Sequence, residues 1–89
     1  MKVLIVDDSR VMRQIVTRTL RQAGYTELAL VEASNGLEAF VVVQSESPDL
    51  VLSDWNMPEM NGLELLKKCR AHPVYKDVAF LLVTAESEV

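Results

Sequence analysis

Two apolar runs in this chain end abruptly at carboxylates, and they restrict the fold more than any other feature of the sequence. Val3-Leu4-Ile5-Val6 stops at Asp7 and Asp8, and Leu50-Val51-Leu52 passes through Ser53 to Asp54. A strand with one wet face alternates apolar and polar side chains. A run without alternation belongs to a strand covered on both faces, as in a parallel sheet. Parallel neighbours need long crossovers, and the intervening segments carry helical spacing. In an open parallel sheet, ligands bind outside the carboxyl ends of the strands, which is where these acids stand.

After the first run, Ser9 offers an N-cap hydroxyl, and Val11, Met12, Ile15, Val16, Leu20 and Ala23 recur at helical spacing. Gly24 supplies the stop. Residues 28–31 read as a second strand, closely flanked by Glu27 and Glu32. Ser34, Asn35 and Gly36 open a second helix in which Leu37, Phe40 and Val41 share a face. Its Val41-Val42-Val43 run is β-branched and strand-like alone; spacing and context assign it to the helix. Ser47-Pro48-Asp49 is a turn. Residues 50–53 form the third strand, residues 63–70 the third helix and residues 78–83 the fourth strand, ending at Thr84. The order βαβαβαβ calls for right-handed crossovers. Tyr25, Tyr75 and Phe80 read as core or core-edge aromatics, Glu59 and Asn61 as solvated loop residues, and Trp55 as a surface-packed neighbour of Asp54.

At 89 residues the chain is one domain at most. A chain of this size buries roughly 60 to 65% of its unfolded surface, so its stability is expected to be marginal. A hydrophobic share of 49% beside 25% charged residues is that of a globular domain. The net charge of −4 argues against nucleic acid or an anionic membrane as the main partner. Arg10, Arg13, Arg18 and Arg21 cluster in one segment, which a solvated helix face explains. The single cysteine, Cys69, sits in an apolar helical stripe and reads as a buried small hydrophobe in a reduced, cytoplasmic setting. No signal-peptide core and no membrane-length apolar stretch is present.

Taken together, Leu4-Ile5-Val6-Asp7-Asp8-Ser9, Ser53-Asp54-Trp55-Asn56-Met57-Pro58 with Asn61-Gly62, and Val83-Thr84-Ala85 resemble the receiver domain of bacterial two-component response regulators. The Trp55-Asn56-Met57-Pro58 wording, with Glu86 two places after Thr84, is most similar to the chemotaxis branch of that family, the CheY type. The resemblance implies a flavodoxin-like, doubly wound α/β sheet with strand order 2-1-3-4 and about four βα units. It implies a single receiver domain over residues 1–89 that is incomplete at its C-terminal end. A full receiver continues through a fourth helix, a fifth strand and a fifth helix, and that strand carries a phosphoryl-contacting lysine and an aromatic reporter. Lys67, Lys68 and Lys76 do not stand at the matching position.

The same resemblance implies the chemistry. Asp54 is the phosphoacceptor, attacking a phosphohistidine on a histidine kinase. Asp8 and Asp54 ligate Mg²⁺ through carboxylate and Asn56 through its backbone carbonyl, with Asp7 contributing through water or from the site's outer shell. Thr84 contacts the phosphoryl group as a switch, and Asn56 with Glu86 tunes the phosphate lifetime. Crowded carboxylates need either a cation or a proton, and a hard divalent ion suits oxygen ligands. The output is a downstream protein such as a motor or kinase component. On this reading the chain is a signalling phosphoacceptor and not an enzyme beyond its own phosphorylation and dephosphorylation.

Two other readings stand beside it. One is an inherited receiver surface without phosphorylation, acting by association. The other is an aspartyl-phosphate phosphatase of the haloacid dehalogenase type, which would place a second acid where Asn56 stands. The absent segment would leave one sheet face and the fourth strand's edge open, so the chain is expected to self-associate through them or to be only partly folded.

Overall fold

The computed structural model describes residues 1–83. The element order is β1 (Lys2–Val6), α1 (Arg10–Gln22), β2 (Ala29–Ala33), α2 (Gly36–Glu46), β3 (Leu50–Asp54), α3 (Gly62–Ala71) and β4 (Ala79–Val83). All pairings are parallel, and the sheet order is β2-β1-β3-β4. The expected flavodoxin-like α/β arrangement is therefore present, with β1 and β3 as neighbours where the winding reverses.

Alternate residues of each strand face opposite layers. Leu4, Val6 and Val51 point toward α2 and α3 and, with Ala33, Ala39, Val43, Leu65 and Cys69, form the closed core. Burial pushes the Cys69 thiol above its ordinary pKa, so it stays an unreactive thiol at neutral pH. The opposite face carries Val3, Ile5, Leu50, Leu52, Leu81 and Val83, and among the described residues α1 alone covers it. α1 begins as expected, with Ser9 Oγ accepting from Met12 N, and ends at Gly24, whose φ is +100°. Its apolar stripe, however, closes only part of that face: Val3 and Ile5 are buried, but no α1 residue is, and Val11 is 63% exposed. An open apolar groove of about 390 Å³ runs between α1 and the sheet, lined by Val3, Leu20, Tyr25, Leu50, Leu52 and Leu81.

Three expectations need correction. β2 lies one to two residues further along than residues 28–31, because an edge strand tolerates the charged Glu32 that a central strand would reject. Tyr25 is not a core aromatic; it is 59% exposed at the rim of the groove. Asn61 is not a free loop residue but the N-cap of α3, in a capping box with Glu64.

Candidate functional site

The strand register decides which acids meet. Val6 lies opposite Ser53, so Asp7 leaves the sheet beside Asp54. The side chains of Asp7 and Asp54 both fall on the α1 side, where they line a small pocket with Met12, Val16 and Val83. Asp8 follows on the exposed turn. Carboxylate oxygens of Asp7, Asp8 and Asp54 lie within 4.8 Å of one another. The residues that the motifs singled out from two distant segments thus share one site.

The scaffold around Asp54 is backbone. Trp55 N donates to Val83 O (2.9 Å), Gly62 N to Trp55 O (3.0 Å) and Gly36 N to Met60 O (3.2 Å). The loop from Asp54 to α3 is thereby pinned to β4, to its own far end and to the start of α2. Within it Glu59 holds a left-handed φ of +69°. Ser53, whose role no sequence pattern marks, is fully buried under the site and donates from Oγ to the Asp54 carbonyl (3.0 Å). Asn56 is exposed in this loop, and among the described residues no donor bonds its carbonyl oxygen. Trp55 is 41% exposed beside the site, as expected. Thr84 and Glu86 lie outside the described residues.

The first-strand loop is held as tightly. Asp7 N donates to Ala33 O (3.1 Å), and the Asp7 carboxylate accepts from Ser9 N (2.8 Å). Burial raises the Asp7 pKa above its ordinary value; the Asp54 and Asp8 carboxylates push it the same way, and the Ser9 N–H opposes them. A carboxyl whose pKa is higher folded than unfolded contributes stability below the unfolded value and loses it as pH rises through the folded one. At neutral pH the bare acid cluster is thus a liability. Asp7→Asn keeps an acceptor for Ser9 and removes the charge. In chelator at pH 7 it should melt on the order of a few degrees above the native chain, and the gain should vanish toward pH 4. A lower melting temperature at pH 7 would contradict this account.

Three acidic oxygens within 4.8 Å of one another suit a hard divalent cation that also keeps waters. The donor set fits Mg²⁺.

Comparison with known proteins decides the lineage. The family model for the response regulator receiver domain matches residues 3–89. The chain belongs to the response regulator receiver family. A chemotaxis protein CheY homolog of Campylobacter jejuni is 46% identical over 87 residues, covering 97% of this receiver and 65% of the relative. The chemotaxis protein CheY1 of Helicobacter pylori is 45% identical, with 97% and 68% covered. This receiver therefore spans about two thirds of the length of those relatives. Among solved structures, the chemotaxis response regulator CheY4 of Vibrio cholerae superposes with a TM-score of 0.82 at 40% identity, covering 98% of this chain and 70% of that one. The N-terminal domain of a response regulator receiver protein from Methanoculleus marisnigri gives 0.85 at 30% identity, with 99% and 69% covered. Among the described residues of this receiver, no helix is long and apolar enough to cross a membrane.

Proposed function

We propose that the chain is a Mg²⁺-dependent phosphoacceptor of a two-component relay, taking a phosphoryl group on Asp54 from a histidine kinase in the cytoplasm. The observation that carries this reading is the meeting of Asp7, Asp8 and Asp54 at the carboxyl ends of two adjacent parallel strands. An Asp54 carboxylate oxygen attacks phosphorus, the O–P bond forms as the N–P bond of the phosphohistidine breaks, and the imidazole nitrogen leaves with the electron pair. Asp8 and Asp54, with the Asn56 carbonyl, would hold the cation, and Asp7 would orient its water. The cation supplies charge neutralisation on the phosphoryl oxygens, where catalysis of such transfers mostly lies. Thr84 would bond a phosphoryl oxygen, and Asn56 with Glu86 would set how long the acyl phosphate survives hydrolysis. The chemotaxis names of the relatives support an output in chemotaxis, which on this reading would run through a motor or kinase component. Asn56 in place of a second acid speaks against the phosphatase reading.

The test is the intact mass of the chain after incubation with Mg²⁺ and a small-molecule phosphodonor, followed by mapping of the label. One phosphoryl increment on Asp54 that chelator prevents is expected. A folded chain that takes none would favour an inert receiver surface.

Association is favoured by a separate observation. β4 carries Ala79-Phe80-Leu81-Leu82-Val83 without a charge; among the described residues no strand lies beyond it, and Leu81 and Val83 are 54% and 50% exposed. Such an edge templates pairing with another chain. Sedimentation at micromolar concentration should show dimers or larger species, and Leu81→Lys should shift them to monomer. A native chain that sediments as a monomer throughout would exclude this contact.

A further inference from the structure

The arginines of α1 are not equivalent. Arg10, Arg18 and Arg21 are exposed, whereas the Arg13 side chain is only 15% exposed, in a helix with no buried residue. Its Nε donates to Glu32 Oε1 on β2 (2.7 Å), and its NH1 donates to the backbone carbonyl of Asp7 (2.6 Å). The first bond anchors the guanidinium to the sheet; the second fixes the peptide plane between Asp7 and Asp8. On the other side of the same residue, Asp7 N is tied to Ala33 O. Among the described residues no N–H donates to the Asp8 carboxylate. Apart from its contact with the Asp7 side chain, Asp8 is thus anchored by the peptide that Arg13 holds.

We propose that Arg13, braced by Glu32, is a positioning residue for the divalent-cation site, presenting Asp8 to the oxygens of Asp7 and Asp54. This rests on the cation site argued above. A planar fork suits the task, because one guanidinium spans a carboxylate and a carbonyl that a single ammonium cannot reach together. Glu32 also neutralises the guanidinium, so a positive charge close to the cation site does not repel its ligand.

The two roles open to such a cation have opposite signs. If Arg13 acted only through charge, its removal would tighten cation binding, and lysine would replace it without loss. If it positions Asp8, removal weakens binding and lysine fails to restore it.

The experiment titrates Mg²⁺, and in parallel Mn²⁺, into the full chain by calorimetry and by Trp55 emission. Native protein, Arg13→Gln, Arg13→Lys, Glu32→Gln and Asp8→Asn are compared, with thermal melts in chelator for each. Arg13→Gln should bind about 10-fold more weakly and Arg13→Lys nearly as weakly, as is usual when a partner that orients a metal ligand is lost. Glu32→Gln should lose less, because Arg13 keeps its bond to Asp7. Unchanged or tighter binding in Arg13→Gln, or full rescue by Arg13→Lys, overturns the proposal. If Arg13→Gln does not fold, Glu32→Gln decides: no loss of affinity overturns it equally. Native protein that binds no cation, or binds it as well with Asp8→Asn, would instead refute the cation site itself.

Discussion

Asp54→Asn should take up at least about 1000-fold less phosphoryl group than the native chain, while remaining folded. The amide offers no anionic oxygen to attack phosphorus, and no neighbouring acid can stand in for it. Asp7 and Asp8 project from a different strand end and would meet an incoming phosphoryl group at another angle. The fold is indifferent to the change, because what Asp54 gives the fold is backbone. Its carbonyl accepts from Ser53 Oγ, and its strand position opposite Val83 is kept. Among the described residues its carboxylate accepts no hydrogen bond, and losing one of three crowded negative charges relieves repulsion. Intact mass after phosphodonor treatment, together with a thermal melt in chelator, checks both halves. Label persisting on another residue, or a melt well below that of native protein, would refute this account.

Gly62→Ala is expected to cost about 2–4 kcal/mol and to lower the melting temperature by roughly 10–25 °C. The cause is space. A Cβ at Gly62 would collide with the Asp54 carbonyl oxygen and lie 2.7 Å from Leu82 Cδ2 and 3.2 Å from Ser53 Oγ. The carbonyl cannot retreat, since it is held by Ser53 and belongs to β3. For a domain this small such a loss is a large share of its stability, and part of the population would be unfolded at 37 °C. Gly24→Ala is the internal control: nothing lies within 4 Å of a Cβ there, and only its φ of +100° is unfavourable. That change should cost about 1–2 kcal/mol. Urea melts of the two variants separate crowding from backbone conformation, and equal losses would remove the steric argument.

What could be read beforehand follows from how each signal arises. Unalternating runs betray strands covered on both faces, so β1 and β3 and the acids at their ends were plain in the one-dimensional pattern. The bounds of β2 are blurred in the sequence because an edge strand obeys weaker rules. The membership of Val41-Val42-Val43 in α2 is a tertiary outcome: its β-branched side chains prefer strands, yet Ala39 and Val43 need the helical spacing to reach the core. The cap at Asn61 is legible, since Asn61-x-x-Glu64 is the sequence signature of a capping box. The roles of Ser53 and Arg13 are not. Each acts by bonding a main-chain carbonyl, and nothing in side-chain periodicity marks such a partner. Arg13 in particular stands among exposed arginines, and only its folded contacts with Glu32 and the Asp7 carbonyl set it apart.

The place of β1 in the middle of the sheet bears on the chain's birth. During synthesis β1 can pair with β2 early, but its other edge waits for β3, which is made later. Asp7 and Asp54 are 47 residues apart, and at about 5–20 residues per second the second emerges roughly 2–9 s after the first. During that interval one edge of β1, with Val3-Leu4-Ile5-Val6, stays without its parallel neighbour, and the acid cluster does not exist. Newly made chain is thus blind to cations until the third strand docks, and a chaperone that binds short apolar segments has its window then.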